Sequence, residues 1–207
     1  MSKVKKFWIW FVLFIIVFVL VSITENVYNN DIMNIDVFMH DLVVNNLRSD
    51  YLTFIMLFIT NFCNPIILLL LSLIILIFSK DKKMGLIILI NLFVSILLNL
   101  IFKGIIQRDR PLEDFLIEES GYSFPSGHSM VSMAYYGLLM YFVFKKVDDK
   151  EIKYIIMFLL GFLILLIGFS RIYLGVHYAS DVIGGFLISI VYLIWVIKLL
   201  NLKVYKN

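Results

Sequence analysis

The chain has 207 residues, of which 62% are apolar and 16% charged, with a net charge of +3 and a mean hydropathy of +0.98. Soluble domains carry about a quarter charged residues, and here the apolar residues fall in long blocks between short polar stretches, which reads as an integral membrane protein. The small net charge offers no nucleic-acid surface, and a single cysteine, Cys63, excludes an intrachain disulfide and a cysteine-rich metal cluster.

The first apolar block, residues 7–23, follows a basic start with Lys3, Lys5 and Lys6. It is longer than a signal-peptide core and no small-residue cleavage site follows it, so a retained span is expected. Residues 26–50 are polar, yet Ile35, Phe38, Met39, Leu42 and Val43 recur at helical spacing opposite Asp36, His40 and Asp41. That pattern predicts a short helix lying on the membrane surface, with His40 solvated on its polar side. Residues 51–78 would extend about 42 Å as a straight helix. A break is expected at Asn64-Pro65, where proline removes an N–H and crowds the preceding turn. Further spans are read at 84–102, 128–144, 154–169 and 182–197. Asn91, Ser95 and Asn99 share one helix face, and Gly161 and Gly168 lie two turns apart; helix packing accounts for both sets. The predicted fold class is all-α, with six transmembrane helices and one interfacial helix, residues 1–207 forming a single domain.

Charge sets the expected orientation. Lys3, Lys5 and Lys6, then Lys80, Lys82 and Lys83, then Lys145, Lys146, Lys150 and Lys153, and finally Lys198, Lys203 and Lys206 all fall on one side of six spans. They make up most of the 18 cations, so both termini are expected in the cytoplasm. Arg48, Lys103, Arg108, Arg110 and Arg171 are left on the outer side, four of them within a few residues of a span end.

Three polar stretches meet at that outer level: 103–111, 125–128 and 170–181. Lys103, Arg110 and Arg171 form a cationic set suited to a phosphoryl group. Pro125-Ser126-Gly127-His128 opens a helix, where the N–H groups of Ser126, Gly127 and His128 can point at phosphate oxygens. His177 and Asp181 lie four apart, so the carboxylate can hold the imidazole tautomer and leave the other nitrogen as nucleophile. His128 remains as general acid. Taken singly, each stretch has a plainer explanation: cations at span ends snorkel, the 125–128 stretch is an ordinary turn, and the His–Asp pair is a structural hydrogen bond or a pair of metal ligands.

Together, Lys-x6-Arg-Pro (103–111), Pro-Ser-Gly-His (125–128) and Ser-Arg-x5-His-x3-Asp (170–181) resemble the three-part signature of the type 2 phosphatidic acid phosphatase superfamily, without a departure. The six-span layout is similar over nearly the whole chain. The resemblance implies that His177 is a nucleophile forming a phosphohistidine, Asp181 its partner and His128 the acid. It implies phosphate binding by Lys103, Arg110, Ser126, Gly127 and Arg171, with no metal and no cofactor. Arg108 and Asp109 fall at unspecified positions of the signature and are assigned nothing.

The expected function is therefore hydrolysis of a lipid phosphate at the outer leaflet of the cell membrane. Short bacterial members of the superfamily resemble the chain most, which implies phosphatidylglycerol phosphate, undecaprenyl diphosphate or phosphatidic acid as substrate. Nothing in the sequence chooses among these. A lipid-phosphate binding or transport protein without turnover is the rival; it needs the cations but neither histidine. A metal-dependent hydrolase fits poorly, because the fixed cations repel a divalent ion.

Overall fold

The computed structural model describes residues 3–29, 32–112 and 114–204; Lys206 lies outside them, as do the side chains of Lys3, Lys5, Lys6 and Lys203. The described residues form eight α-helices and no strand: α1 (Lys3–Tyr28), α2 (Asn34–Asp41), α3 (Asp50–Thr60), α4 (Pro65–Phe78), α5 (Lys82–Ile106), α6 (Gly127–Lys146), α7 (Lys150–Tyr173) and α8 (Ala179–Val204). Several start where the sequence supplies a side-chain acceptor for a free N–H. Ser49 accepts from Leu52 at 3.3 Å, Asn64 from Ile66 at 2.9 Å, Asp81 from Met84 at 3.1 Å and Asp149 from Ile152 at 2.9 Å.

Among the described residues, four helices are long and apolar enough to cross a membrane: α1 from Trp10 onward, α5, α7 and α8. α3 and α4 meet the same test as a pair, bent by 50°. The bend falls at Asn64-Pro65 as expected, because a tight 3-10 turn (Asn61–Cys63) closes α3 and Pro65 starts α4 at its first position.

α6 corresponds to the 128–144 block. It has 20 residues, but its His, Ser, Gly and Tyr content keeps it below the hydropathy of the others. Its position explains that composition, since α6 packs against α5, α7 and α8 and needs side chains that join helices rather than face lipid. Asn91 donates to the Ala134 carbonyl at 3.0 Å, Ser189 to the Met130 carbonyl at 2.7 Å, and Tyr136 to the Phe62 carbonyl at 2.6 Å. Ser72 and Tyr135 share a buried hydrogen bond of 3.1 Å. The Asn91 and Asn99 face thus meets α6 and the turn before it, in keeping with packing.

The helices place the basic and chemical residues at opposite ends. Lys146 at the end of α6 pairs with Asp81 before α5 at 2.6 Å, so those two turns share one end. Lys103, His128, Arg171 and Asp181 lie at the far ends of α5, α6, α7 and α8.

α2 forms where the spacing predicts, followed by a π-helical turn, Leu42–Leu47. Its polar side is not uniformly solvated. Phe38 is 61% exposed and Ile35 and Val37 are exposed, whereas Asp36 is only 3% exposed. The acid points inward because its partners, Arg108 and Ser180, lie there. His40 remains half exposed, 3.3 Å from Asp114.

Candidate active site

The site is built by two connections. α5 stops at Gln107, whose backbone turns left-handed (φ 53°), and the chain folds back as a loop to Ser126. Ser123 N–H bonds the Arg108 carbonyl at 2.7 Å, and Leu116 N–H bonds the Leu174 carbonyl at 2.9 Å, tying the loop to itself and to the α7–α8 turn. That turn requires Gly175. Its φ is +75°, and a Cβ there would stand 2.5 Å from the Asp114 carbonyl oxygen. Gly185 serves the other contact, because a Cβ on it would lie 2.9 Å from the Ser126 oxygen. Asn99 donates to the Pro125 carbonyl at 3.0 Å and holds the same turn from α5.

His177 and Asp181 are buried together. Nδ1 of His177 lies 3.5 Å from Asp181 Oδ2 and 3.2 Å from Ser123 Oγ, which itself donates to Oδ2 at 2.5 Å. Nε2 lies 3.2 Å from Arg110 Nη1. A guanidinium only donates, so Nε2 carries the lone pair and Nδ1 the proton. Burial pushes the His177 imidazole down to about 4, against the opposing pull of Asp181, so it is neutral at pH 7. The result is a neutral imidazole whose lone-pair nitrogen faces Arg110, one of three cations gathered at the site.

Those cations are Arg110, Arg171 and Lys103. Arg110 also donates to the carbonyls of Gly121 (2.9 Å), Ser120 (3.1 Å) and Val176 (2.9 Å). Arg171, 1% exposed, donates to Thr60 at 2.7 Å, and its buried Nε has no partner. Lys103 Nζ donates to the Tyr122 carbonyl at 2.6 Å. The Glu119 carboxylate bridges the two arginines, 3.4 Å from Arg110 and in a short contact with Arg171. His128, partly buried, stands within electrostatic reach of Arg171, His177, Lys103 and Arg110. A cleft of about 550 Å³, walled by Leu112, Phe115 and Ile117 and bounded by Arg110 and Glu119, opens beside the cluster.

The structure thus brings Lys103, Arg110, His128, Arg171, His177 and Asp181 together. Ser126 differs from expectation. Its N–H is taken by the Asp181 carbonyl at 3.1 Å, and its buried hydroxyl caps α6, accepting from the Ser129 N–H at 3.5 Å and from the Ser129 hydroxyl at 3.0 Å. Gly127 and His128 remain as the open N–H groups of that first turn. Sequence reasoning also missed Ser123, Glu119 and Arg108. Arg108 is buried and donates to Asp181 Oδ1 at 2.6 Å and to Asp36 at 3.0 Å. The one signal for it was a second arginine two residues before Arg110.

A helical membrane bundle thus carries a buried His–Asp pair beside clustered arginines, side chains whose chemistry suits an anionic group. Residues 84–205 match the PAP2 superfamily model, and the chain belongs to that superfamily. It is 41% identical over 113 residues to phosphatidylglycerophosphatase B of Bacillus subtilis (strain 168), covering 53% of this chain and 54% of the relative, about half its length. It is 27% identical over 191 residues to an undecaprenyl-diphosphatase of Sulfolobus acidocaldarius, covering 88% of this chain and 85% of that one. The solved PAP2-type phosphatidylglycerolphosphate phosphatase of Bacillus subtilis superposes with a TM-score of 0.81 at 30% identity, covering 92% of this chain and 96% of that one. LpxE of Aquifex aeolicus superposes with a TM-score of 0.61 at 25% identity, over 75% of this chain and 90% of that one.

Proposed function

We propose that the chain is an integral membrane lipid phosphatase acting through a phosphohistidine at His177. The observation that carries this reading is the free Nε2 of a neutral His177, held from behind by Asp181 and Ser123 and faced by Arg110. Arg110, Arg171 and Lys103 bind the phosphate with the N–H groups of Gly127 and His128; Ser126 contributes as the cap that shapes their turn. Nε2 attacks phosphorus, the P–O bond to the lipid breaks, and His128 protonates the departing oxygen. Water then attacks the phosphohistidine, gives its proton to His128 and releases inorganic phosphate. The fixed cations supply the charge that a metal brings elsewhere, and among the described residues no three His, Cys, Asp or Glu side chains converge to hold one.

The names of the relatives support a phosphatidylglycerol phosphate or undecaprenyl diphosphate substrate, with phosphatidic acid as a third candidate. The same reading takes residues 1–207 as one domain of six spans. α6 is the central span and α2 lies in the interface; both termini are cytoplasmic and the site faces outward. The test is phosphate release by purified protein from a panel of these three lipids, with His177→Ala in parallel. Turnover of at least one lipid, lost in the variant, is expected. Binding of lipid phosphate without turnover would replace this reading with a carrier.

A further inference from the structure

One side of the break between α3 and α4 faces the bundle. Thr60, the last residue of α3, is 9% exposed, and Cys63, which closes the 3-10 turn after it, is 3% exposed. The Phe62 carbonyl accepts from Tyr136 of α6 at 2.6 Å, and the Cys63 thiol donates to the His128 carbonyl at 3.4 Å. The turn is thus pinned to the helix that carries His128. From there Thr60 reaches α7: its hydroxyl oxygen accepts from Arg171 Nη1 at 2.7 Å. Three other hydroxyls of the bundle donate within their own helices, Thr24 to the Leu20 carbonyl at 2.8 Å, Ser95 to that of Leu92 at 2.8 Å and Ser170 to that of Ile167 at 2.7 Å. Thr60 lies outside the three signature stretches.

Arg171 is 1% exposed, and a buried guanidinium keeps its aim only through its partners. Two partners of different kinds hold it. Glu119 takes Nη2, but its carboxylate is itself an anion and competes in charge with a phosphate. Thr60 is neutral. It fixes the fork at Nη1 and leaves the positive charge undiminished for an anion. A threonine is also stiff at its first side-chain torsion, so the acceptor stays in place.

We propose that Thr60 is a positioning residue of the phosphate site: through one hydrogen bond it aims the Arg171 guanidinium at the anion, and the pinned turn after it holds that hydroxyl still. The inference rests on the phosphate-binding role of Arg171 proposed above. Loss of the hydroxyl leaves Nη1 without its acceptor in a buried place, and the fork turns toward Glu119 instead of the phosphate.

The experiment measures orthovanadate affinity by calorimetry, and steady-state p-nitrophenyl phosphate hydrolysis, on the purified full chain in detergent. Thr60→Val keeps the branched shape and removes the acceptor. It should raise both the vanadate dissociation constant and KM about tenfold, with kcat within about threefold of wild type. Thr60→Ser should restore most of the loss. Thr53→Val removes another hydroxyl of α3, one that meets the Tyr173 hydroxyl at 3.1 Å rather than Arg171, and should leave both constants within about twofold. In an Arg171→Lys background, whose ammonium has no fork to aim, Thr60→Val should cost less than about twofold. A merely structural hydroxyl gives a different pattern: both constants unchanged in folded Thr60→Val, Thr53→Val as impaired as Thr60→Val, or the full penalty persisting beside Arg171→Lys. Any of these overturns the proposal. If Thr60→Val does not fold, Thr60→Ala is judged by the same criteria; if neither folds, the hydroxyl serves the fold and the proposal falls. Arg171→Gln binding vanadate as tightly as wild type is a separate outcome, which removes Arg171 from the phosphate site and this proposal with it.

Discussion

Asparagine at position 181 tests the geometry of the dyad most severely. Oδ2 of Asp181 faces the Ser123 hydroxyl at 2.5 Å, Tyr178 N–H at 2.9 Å and His177 Nδ1 at 3.5 Å; Oδ1 faces Arg108 at 2.6 Å. Every neighbour is a donor. An amide NH2 turned toward Arg108 meets another donor in a buried place, at a cost of about 1–3 kcal/mol, while Asp36 still holds the guanidinium. Turned toward His177, it donates to Nδ1 and drives the proton to Nε2, which then faces Arg110 and phosphorus as N–H rather than lone pair. Exchanging the acid that fixes a catalytic tautomer for its amide lowers kcat about 10⁴-fold, or roughly 5.5 kcal/mol of barrier. Asp181→Asn should show that loss in steady-state p-nitrophenyl phosphate hydrolysis, with a folded protein melting a few degrees below wild type. A kcat within about tenfold of wild type would refute the assignment of Asp181 to the tautomer.

The two histidines should separate by leaving group. His128→Ala should cripple alkyl phosphate monoesters, which need about 10²–10⁴-fold of general-acid help, and spare a larger share of p-nitrophenyl phosphate activity; His177→Ala should show no such rescue. A cysteine at the exposed Glu118 position, in a Cys63→Ser background, should react with a membrane-impermeant thiol reagent in intact cells; labelling only after lysis would reverse the orientation. Hydrolysis should survive EDTA and be inhibited by vanadate, and loss on chelation with recovery on Mg²⁺ would require a metal.

Much of this site was legible because its residues sit in short local patterns. Lys103, Arg110, His128, Arg171, His177 and Asp181 carry spacing that survives as geometry, and the six apolar blocks all become helices. What was not legible depends on partners far along the chain. Arg108 and Asp36 are 72 residues apart, and Arg108 and Asp181 are 73 apart. Periodicity located the helix α2 but assigned water to the side that carries Asp36. In a bundle where lipid surrounds the outside, an acid can turn inward instead, and only the position of Arg108 reveals it. Ser126 was misjudged for a similar reason: its N–H looked free in sequence, yet α8 approaches closely enough at Gly185 for the Asp181 carbonyl to take it. α6 was found as an apolar block, although its polar content reflects a place among other helices.

Trapping the covalent intermediate tests the central claim most directly. Purified protein mixed with a ³²P-labelled lipid phosphate and quenched in base should carry label that is stable to alkali and released by acid, on the peptide containing His177. The label should be absent from His177→Ala and should accumulate in variants whose second step is slowed. Phosphate release without any trapped label, or label on another side chain, would contradict the phosphohistidine mechanism.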